Sequence, residues 1–172
     1  MRVLCGPWSY IMSYSYVYPH PAITADCVLF GLDGPSFNVL LVARSHEPFK
    51  GYWALPGGFM EIDETVETCA QRELAEETGV KGIRIEQLHT FSKVDRDPRE
   101  RVVSVVFMSY VRLADCSLKA GDDASDARWF ALEHLPELAF DHADVLRLAL
   151  RKHRHRLCAF DGDPELLATS WA

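Results

Sequence analysis

GGFMEIDETVETCAQRELAEETGV, residues 57–80, sets a glycine pair ahead of a stretch that crowds Arg72, Glu73, Glu76 and Glu77 together. The pattern predicts a helix over about 64–78, with Asp63 as its N-terminal cap and Gly79 as its stop. Successive helical residues turn by about 100°. With Glu73 as the reference, Glu77 lies about 40° to one side and Glu76 about 60° to the other. Val66, Cys69, Ala70 and Leu74 fall in or beside this sector, and Gln71, Ala75 and Thr78 fall opposite. The acids thus continue the apolar stripe. Carboxylates crowded on a partly buried face repel one another and lose hydration. Arg72 supplies one compensating charge, and a divalent cation is the simplest source of more. Ligation by the oxygens of Glu73, Glu76 and Glu77 selects a hard ion, Mg²⁺ or alternatively Mn²⁺. Gly57 and Gly58 lack a Cβ, so their backbone can approach a metal or a phosphate closely. The plainer alternatives are a solvated acidic face and a simple turn after Pro56.

The rest of the chain frames this helix. Its 172 residues, 48% hydrophobic and 25% charged, suit one folded domain. A net charge of -7 argues against a nucleic-acid-backbone binder, although small phosphorylated ligands stay open through a bound metal. Cys5, Cys27, Cys69, Cys116 and Cys158 are scattered, with no C-x-x-C pair, which fits a reducing compartment better than a disulfide framework or a zinc site. No stretch is apolar enough to span a membrane, and residues 1–20 hold no apolar leader core, so a cytoplasmic protein is expected. Residues 1–19 read as an N-terminal extension, 20–157 as the domain and 158–172 as a tail. Strands are predicted at 22–30, 37–43, around Trp53, at 83–92, 101–113 and 127–132, the first two as a hairpin, with a last helix at 141–157. The mix gives an α/β or α+β fold, a sheet with helices packed on it.

The helix stretch resembles the signature of the Nudix hydrolase family. That pattern is a glycine, five residues, a glutamate, seven residues, Arg-Glu, an aliphatic, any residue, Glu-Glu, any residue, a glycine and an aliphatic. Gly58, Glu64, Arg72, Glu73, Leu74, Glu76, Glu77, Gly79 and Val80 fill it. The resemblance implies an α/β/α sandwich with a mixed sheet between helices. It implies that Glu73, Glu76 and Glu77 bind a divalent metal, that Glu77 is a main ligand or base, and that Arg72 orients a glutamate. It further implies that Glu64 is a supporting acid and that the backbone at Gly57 and Gly58 can ligate metal. The implied reaction is hydrolysis of a nucleoside diphosphate linked to another moiety. Neither the number of cations nor the phosphorus attacked follows from the spacing.

PFKGYWALPGGF (48–59), DRDPRERVVSVVF (95–107) and LAFDH (138–142) resemble a subgroup holding ADP-ribose pyrophosphatases and ADP-ribose-binding regulators. This favours ADP-ribose, cleaved to AMP and ribose 5-phosphate, with a homodimer as a further implication. Arg44, Arg99 and Arg101 are candidates for phosphate or ribose contacts. Trp53, with Phe49 and Tyr52, is a candidate for stacking on adenine, against the alternative of a core aromatic. His142 suits a structural hydrogen bond at the start of the last helix, and Asp122 and Asp123 are candidates for an additional acid. RKHRHR (151–156) reads as cations at a helix C-terminus. The rival readings are a nucleoside triphosphate or NADH pyrophosphohydrolase and a non-catalytic ADP-ribose sensor. Against the sensor, the signature is intact and the residues after Phe140 leave no room for a winged helix.

Overall fold

AITADCVLFGLD forms β1 (Ala22–Asp33), the strand from which the rest of the sheet is built. The computed structural model describes residues 15–33, 36–116, 118 and 126–159, with the side chains of 36 and 153–159 outside that description. β1 pairs antiparallel with β2 (Ser36–Ala43) and parallel with β6 (Val102–Arg112). β3 (Trp53–Ala54) and β5 (Glu86–Phe91) complete the order β3-β2-β1-β6-β5. β4 (Gly57–Phe59) pairs with β1, and β7 (Ala127–Ala131) pairs with β2. The sheet is therefore mixed, and the predicted hairpin is present.

Strand side chains alternate between faces, and here each face carries a helix. Val28 and Phe30 of β1, Val39 and Leu41 of β2, and Val106 and Met108 of β6 pack with Val145, Leu146 and Ala149 of α2 (His142–Ala159). Their intervening neighbours Cys27, Leu29, Leu40 and Phe107 pack with Cys69, Ala70 and Leu74 of α1 (Val66–Thr78). A central strand buried on both sides reads as a near-continuous apolar run, as VLFGL does. Asp26 is the charged exception within it, only 7% exposed.

α1 departs from the sequence reading in two respects. Thr65, not Asp63, caps it, its hydroxyl accepting from the Thr68 N–H at 3.2 Å. The buried face is Cys69, Ala70, Leu74 and Thr78, rotated toward Glu77 from the sector expected. Thr78 was expected opposite the buried stripe. It is fully buried because its hydroxyl is satisfied by the Leu74 carbonyl, at 2.5 Å, and so needs no water. Glu77 consequently lies within the buried sector, while the Glu76 side chain is 60% exposed. Gly79 stops the helix in the left-handed conformation, φ 78°, with its N–H on the Ala75 carbonyl.

Candidate active site

A cleft of about 400 Å³ opens where β1, β4, the end of α1 and the start of α2 meet. The glycine pair forms one edge. A Cβ on Gly57 would lie 2.4 Å from the Ala25 carbonyl oxygen and 2.5 Å from Asp26 Oδ1, and one on Gly58 would lie 2.4 Å from Glu73 Oε1. At position 57 only glycine permits this packing against the β1 backbone, whereas at position 58 a Cβ would displace the Glu73 carboxylate. The Gly57 N–H, freed by that approach, donates to Glu77 Oε2 at 3.0 Å.

The helix acids divide into two environments. Arg72 grips Glu64 with two bonds, Nη2 to Oε1 at 2.7 Å and Nε to Oε2 at 3.1 Å. Its Nη1 reaches Glu73 at 2.7 Å and Glu76 at 3.1 Å. Hydrogen bonding to Arg72, helped by the Glu61 N–H, holds the Glu64 carboxyl down to about 2. Burial pushes Glu73 up, with Arg72 opposing. Glu77 is pushed up to about 8, first by burial and then by the charges of Glu73 and Asp26, with the Gly57 N–H pulling the other way.

Across the cleft, Arg44 donates to the backbone carbonyl of Pro48 at 2.9 Å, and its guanidinium lies 4.8 Å from the Phe140 ring. Burial and the neighbouring Arg99 pull its pKa down. Arg99 sits against the Phe59 and Phe140 rings and is held by Asp97 at 2.7 Å. Arg96 is buried and doubly bonded to Asp141, at 3.0 and 2.7 Å, tying the loop after β5 to the start of α2. His142, also buried, accepts the Leu55 N–H on Nδ1 at 2.9 Å. Burial lowers its pKa. This is the structural hydrogen bond expected of it, although the residue lines the cleft as well.

The expected site residues are thus only partly gathered. Gly57, Gly58, Glu77, Arg44 and Arg99 line the cleft. Glu73 borders it behind Gly58, and Glu64, Arg72 and Glu76 form the network that holds Glu73. Trp53 is a correction, because it does not line the cleft. It packs on the core edge-on to Phe130, ring centres 4.6 Å apart. Arg101 is another, bonding the Lys93, Ser92 and Val102 carbonyls to brace the loop over 93–100. Asp122 and Asp123 lie outside the described residues. Asp26, Thr24, Arg96 and Asp97 line the cleft without having been singled out. An acid inside an apolar strand was the available signal for Asp26.

The donor set suits a hard cation. Arg72 is committed to three other acids, so the buried Glu77 carboxyl, beside Asp26 and Glu73, has no ion pair among the described residues. Its pKa is raised first by burial and then by the charges of Glu73 and Asp26, against the pull of the Gly57 N–H and Arg44, and a cation beside it would reverse that shift. Among the described residues no three His, Cys, Asp or Glu side chains already converge as a metal cage, because Glu73 and Glu76 face Arg72. A cation held by Glu77, Glu73 and the backbone at Gly57 and Gly58 would draw Glu73 away from that arginine.

A NUDIX domain model matches residues 20–149. The chain belongs to the Nudix family. It is a Nudix hydrolase acting on a phosphoanhydride, and the layered sheet described above is the Nudix fold. It is 44% identical over 135 residues to an ADP-ribose pyrophosphatase of Methanocaldococcus jannaschii, covering 78% of this chain and 76% of that relative. It is 34% identical over 139 residues to the ADPR responsive transcriptional repressor NtrR of Acinetobacter baylyi, covering 78% of this chain but 55% of the repressor. Among solved structures it superposes on the NUDIX domain of Shewanella oneidensis NrtR complexed with ADP ribose. That match has a TM-score of 0.73 and 35% identity, covering 78% of this chain and 90% of that one.

Proposed function

We propose that this protein hydrolyses ADP-ribose to AMP and ribose 5-phosphate with Mg²⁺, or Mn²⁺, held by Glu73, Glu77 and the backbone at Gly57 and Gly58. The carrying observation is charge placement. The same cleft buries an acid with no ion pair among the described residues, Glu77, and is lined by the guanidinium groups of Arg44 and Arg99. Such a mixed lining suits an anion that arrives with a cation. A pyrophosphate is that anion, and a 44% identical relative named as an ADP-ribose pyrophosphatase supports ADP-ribose as its bearer.

A bound divalent cation neutralises the phosphates and lowers the pKa of a water on it. The chain's own residues do the rest. Arg72 fixes Glu64 with two bonds and holds Glu73 at the edge of the cleft, from which a bound cation would draw it. The Gly57 N–H holds one oxygen of Glu77, and the other accepts no hydrogen bond among the described residues. Arg44 and Arg99, backed by Phe140 and Phe59, offer donors to phosphate oxygens. Glu77, once ionised, or Glu73 accepts the proton of the attacking water.

The test is release of AMP from ADP-ribose with and without Mg²⁺, beside a nucleoside triphosphate and NADH. Mg²⁺-dependent AMP release supports the proposal. Pyrophosphate release from the triphosphate as the faster reaction overturns the substrate. Tight ADP-ribose binding without turnover makes the chain a sensor, the reading favoured by its similarity to a repressor. Nucleotide binding without a nucleic-acid partner, and a cytoplasmic setting, are the corresponding parts of the enzyme proposal. A homodimer is proposed too, and sedimentation tests it.

A further inference from the structure

Beneath the phosphate-facing rim, the floor of the cleft carries three polar side chains that the proposed hydrolysis does not use. Thr24, Asp26 and His142 are 6%, 7% and 4% exposed, and all three line the cleft. Thr24 and Asp26 stand two residues apart on β1 and so share a face. The Leu55–Gly57 segment runs beside them. Cys27 donates to the Pro56 carbonyl at 2.8 Å, and Leu55 donates to His142. Asp26 and His142 are close enough that the carboxylate favours imidazole protonation.

Each of the three keeps bonding capacity in reserve. Asp26 Oδ2 accepts from the Ser104 hydroxyl, while Oδ1 has no hydrogen-bond partner among the described residues. The Thr24 hydroxyl is buried without a hydrogen-bond partner among the described residues. His142 uses Nδ1 as an acceptor for the Leu55 N–H, so its neutral ring carries the proton on Nε2. That N–H has no described partner. Buried polar groups are ordinarily satisfied, so unspent ones converging on a cleft point to a ligand that satisfies them.

We propose that Thr24, Asp26 and His142 form a floor that reads the vicinal hydroxyls of a sugar on the substrate. Each hydroxyl of a diol both donates and accepts. Asp26 Oδ1 accepts from one, and His142 Nε2–H donates to a neighbouring oxygen. Thr24 Oγ1 completes the set in either role. Phosphate has no proton to give Asp26 at neutral pH, and an unsubstituted base edge would sit poorly against a carboxylate with no donor facing it. The floor therefore takes the polyol part while Arg44 and Arg99 take the anionic part. This rests on the proposed hydrolysis of a sugar-bearing pyrophosphate and specifies which atoms of it are read.

Two sugars of such a substrate carry the diol, and calorimetric titration distinguishes them. Ribose 5-phosphate is compared with 2-deoxyribose 5-phosphate, and AMP with 2′-deoxy-AMP, on the Mg²⁺-loaded protein. The expected result is that one pair differs by about 10- to 100-fold in affinity, the loss of a hydrogen bond to a charged group. That pair identifies the sugar held. Asp26→Asn and the isosteric Thr24→Val should each shrink the gap to within about threefold of parity, with circular dichroism unchanged. Equal binding within both pairs overturns the proposal, as does a gap that survives both substitutions. Failure of the wild type to hold any of the four measurably overturns it too. An Asp26→Asn protein that raises the Mg²⁺ concentration needed for activity but keeps the gap assigns Asp26 to the cation and also overturns it. The two readings fail separately. A hydroxyl gap with no AMP release from ADP-ribose leaves the floor and removes the hydrolysis, whereas normal release with no gap does the reverse.

Discussion

Two groups of acids occupy the same end of the molecule under opposite conditions. Glu64, Glu73 and Glu76 share Arg72, and Glu64 ionises readily, its carboxyl held down to about 2. Glu77 and Asp26 lie deeper and have no ion pair among the described residues, and burial, with the charges of Glu73 and Asp26, raises the Glu77 pKa to about 8. The contrast separates acids that hold a framework from acids that await a charge. Removing a charge from the second group should therefore cost the reaction most. Glu77→Gln is expected to lower Mg²⁺-dependent AMP release at least about 100-fold, with circular dichroism unchanged. Glu76→Gln, 60% exposed and bonded only to Arg72, should cost less. Equal losses in the two variants would erase the distinction.

The glycines sharpen the same comparison. At Gly57 an added methyl meets the backbone, the Ala25 carbonyl oxygen at 2.4 Å and the Asp26 Cα at 2.7 Å. At Gly58 the nearest atoms it meets are those of the Glu73 carboxylate, the end of a flexible side chain. Gly57→Ala should lower unfolding free energy by about 1–3 kcal/mol, measured by urea titration. Gly58→Ala should spare stability and weaken activity by displacing Glu73. Arg44→Ala is expected to raise the KM for ADP-ribose by about tenfold, comparable to one lost charged hydrogen bond, with kcat less changed.

What the sequence made legible divides instead by separation along the chain. The acids from Glu64 to Glu77, framework and buried alike, lie on or just before one helix, and their spacing implied a metal-binding face. The strand character of β1, rich in β-branched and aromatic residues, and the hairpin also followed from local pattern. The rest of the cleft is assembled over long separations. Asp26 meets Ser104 through the parallel pairing of β1 with β6, and Arg96 meets Asp141 across 45 positions. No periodicity encodes such contacts. Trp53 and Arg101 misled for a related reason. An aromatic or an arginine near a motif suggests a ligand, but only the tertiary fold decides whether it faces the cleft or the core. Thr78 misled because a local bond to the Leu74 carbonyl makes its hydroxyl compatible with burial.

A pH experiment tests Glu77 without any substrate. In the metal-free protein Glu77 holds its proton up to about 8, whereas a glutamate in the unfolded chain titrates near about 4.3. Between these values the folded state binds the extra proton, so stability falls as pH rises. This contribution is fully present below the unfolded value and lost as pH climbs through the folded one. The metal-free melting temperature should therefore fall by a few degrees between about pH 6 and pH 9. Glu77→Gln should flatten that part of the profile. Added Mg²⁺ should stabilise more at the higher pH, because the ionised carboxylate is the ligand. A slope that survives the substitution would assign the effect elsewhere.

The smallest expected effect tests the two corrected residues against Arg44 and Arg99, the cleft arginines proposed to meet the phosphates. Trp53 touches the site only through its backbone. Its N–H donates to the Glu137 carbonyl at 3.0 Å and its carbonyl accepts from Ala139 at 2.8 Å, which places Phe140 and His142 just beyond. Trp53→Phe keeps both bonds and loses part of the contact with Phe130. It should lower the melting temperature slightly and leave the KM for ADP-ribose within about twofold, since the change lies in packing alone. Arg101→Lys, which replaces donors spent on backbone carbonyls, should behave alike. If Trp53→Phe instead raised KM as much as Arg44→Ala while the melting temperature held, the indole would be acting on the ligand. The division between residues that shape the cleft and residues that line it would then have to be redrawn at β3.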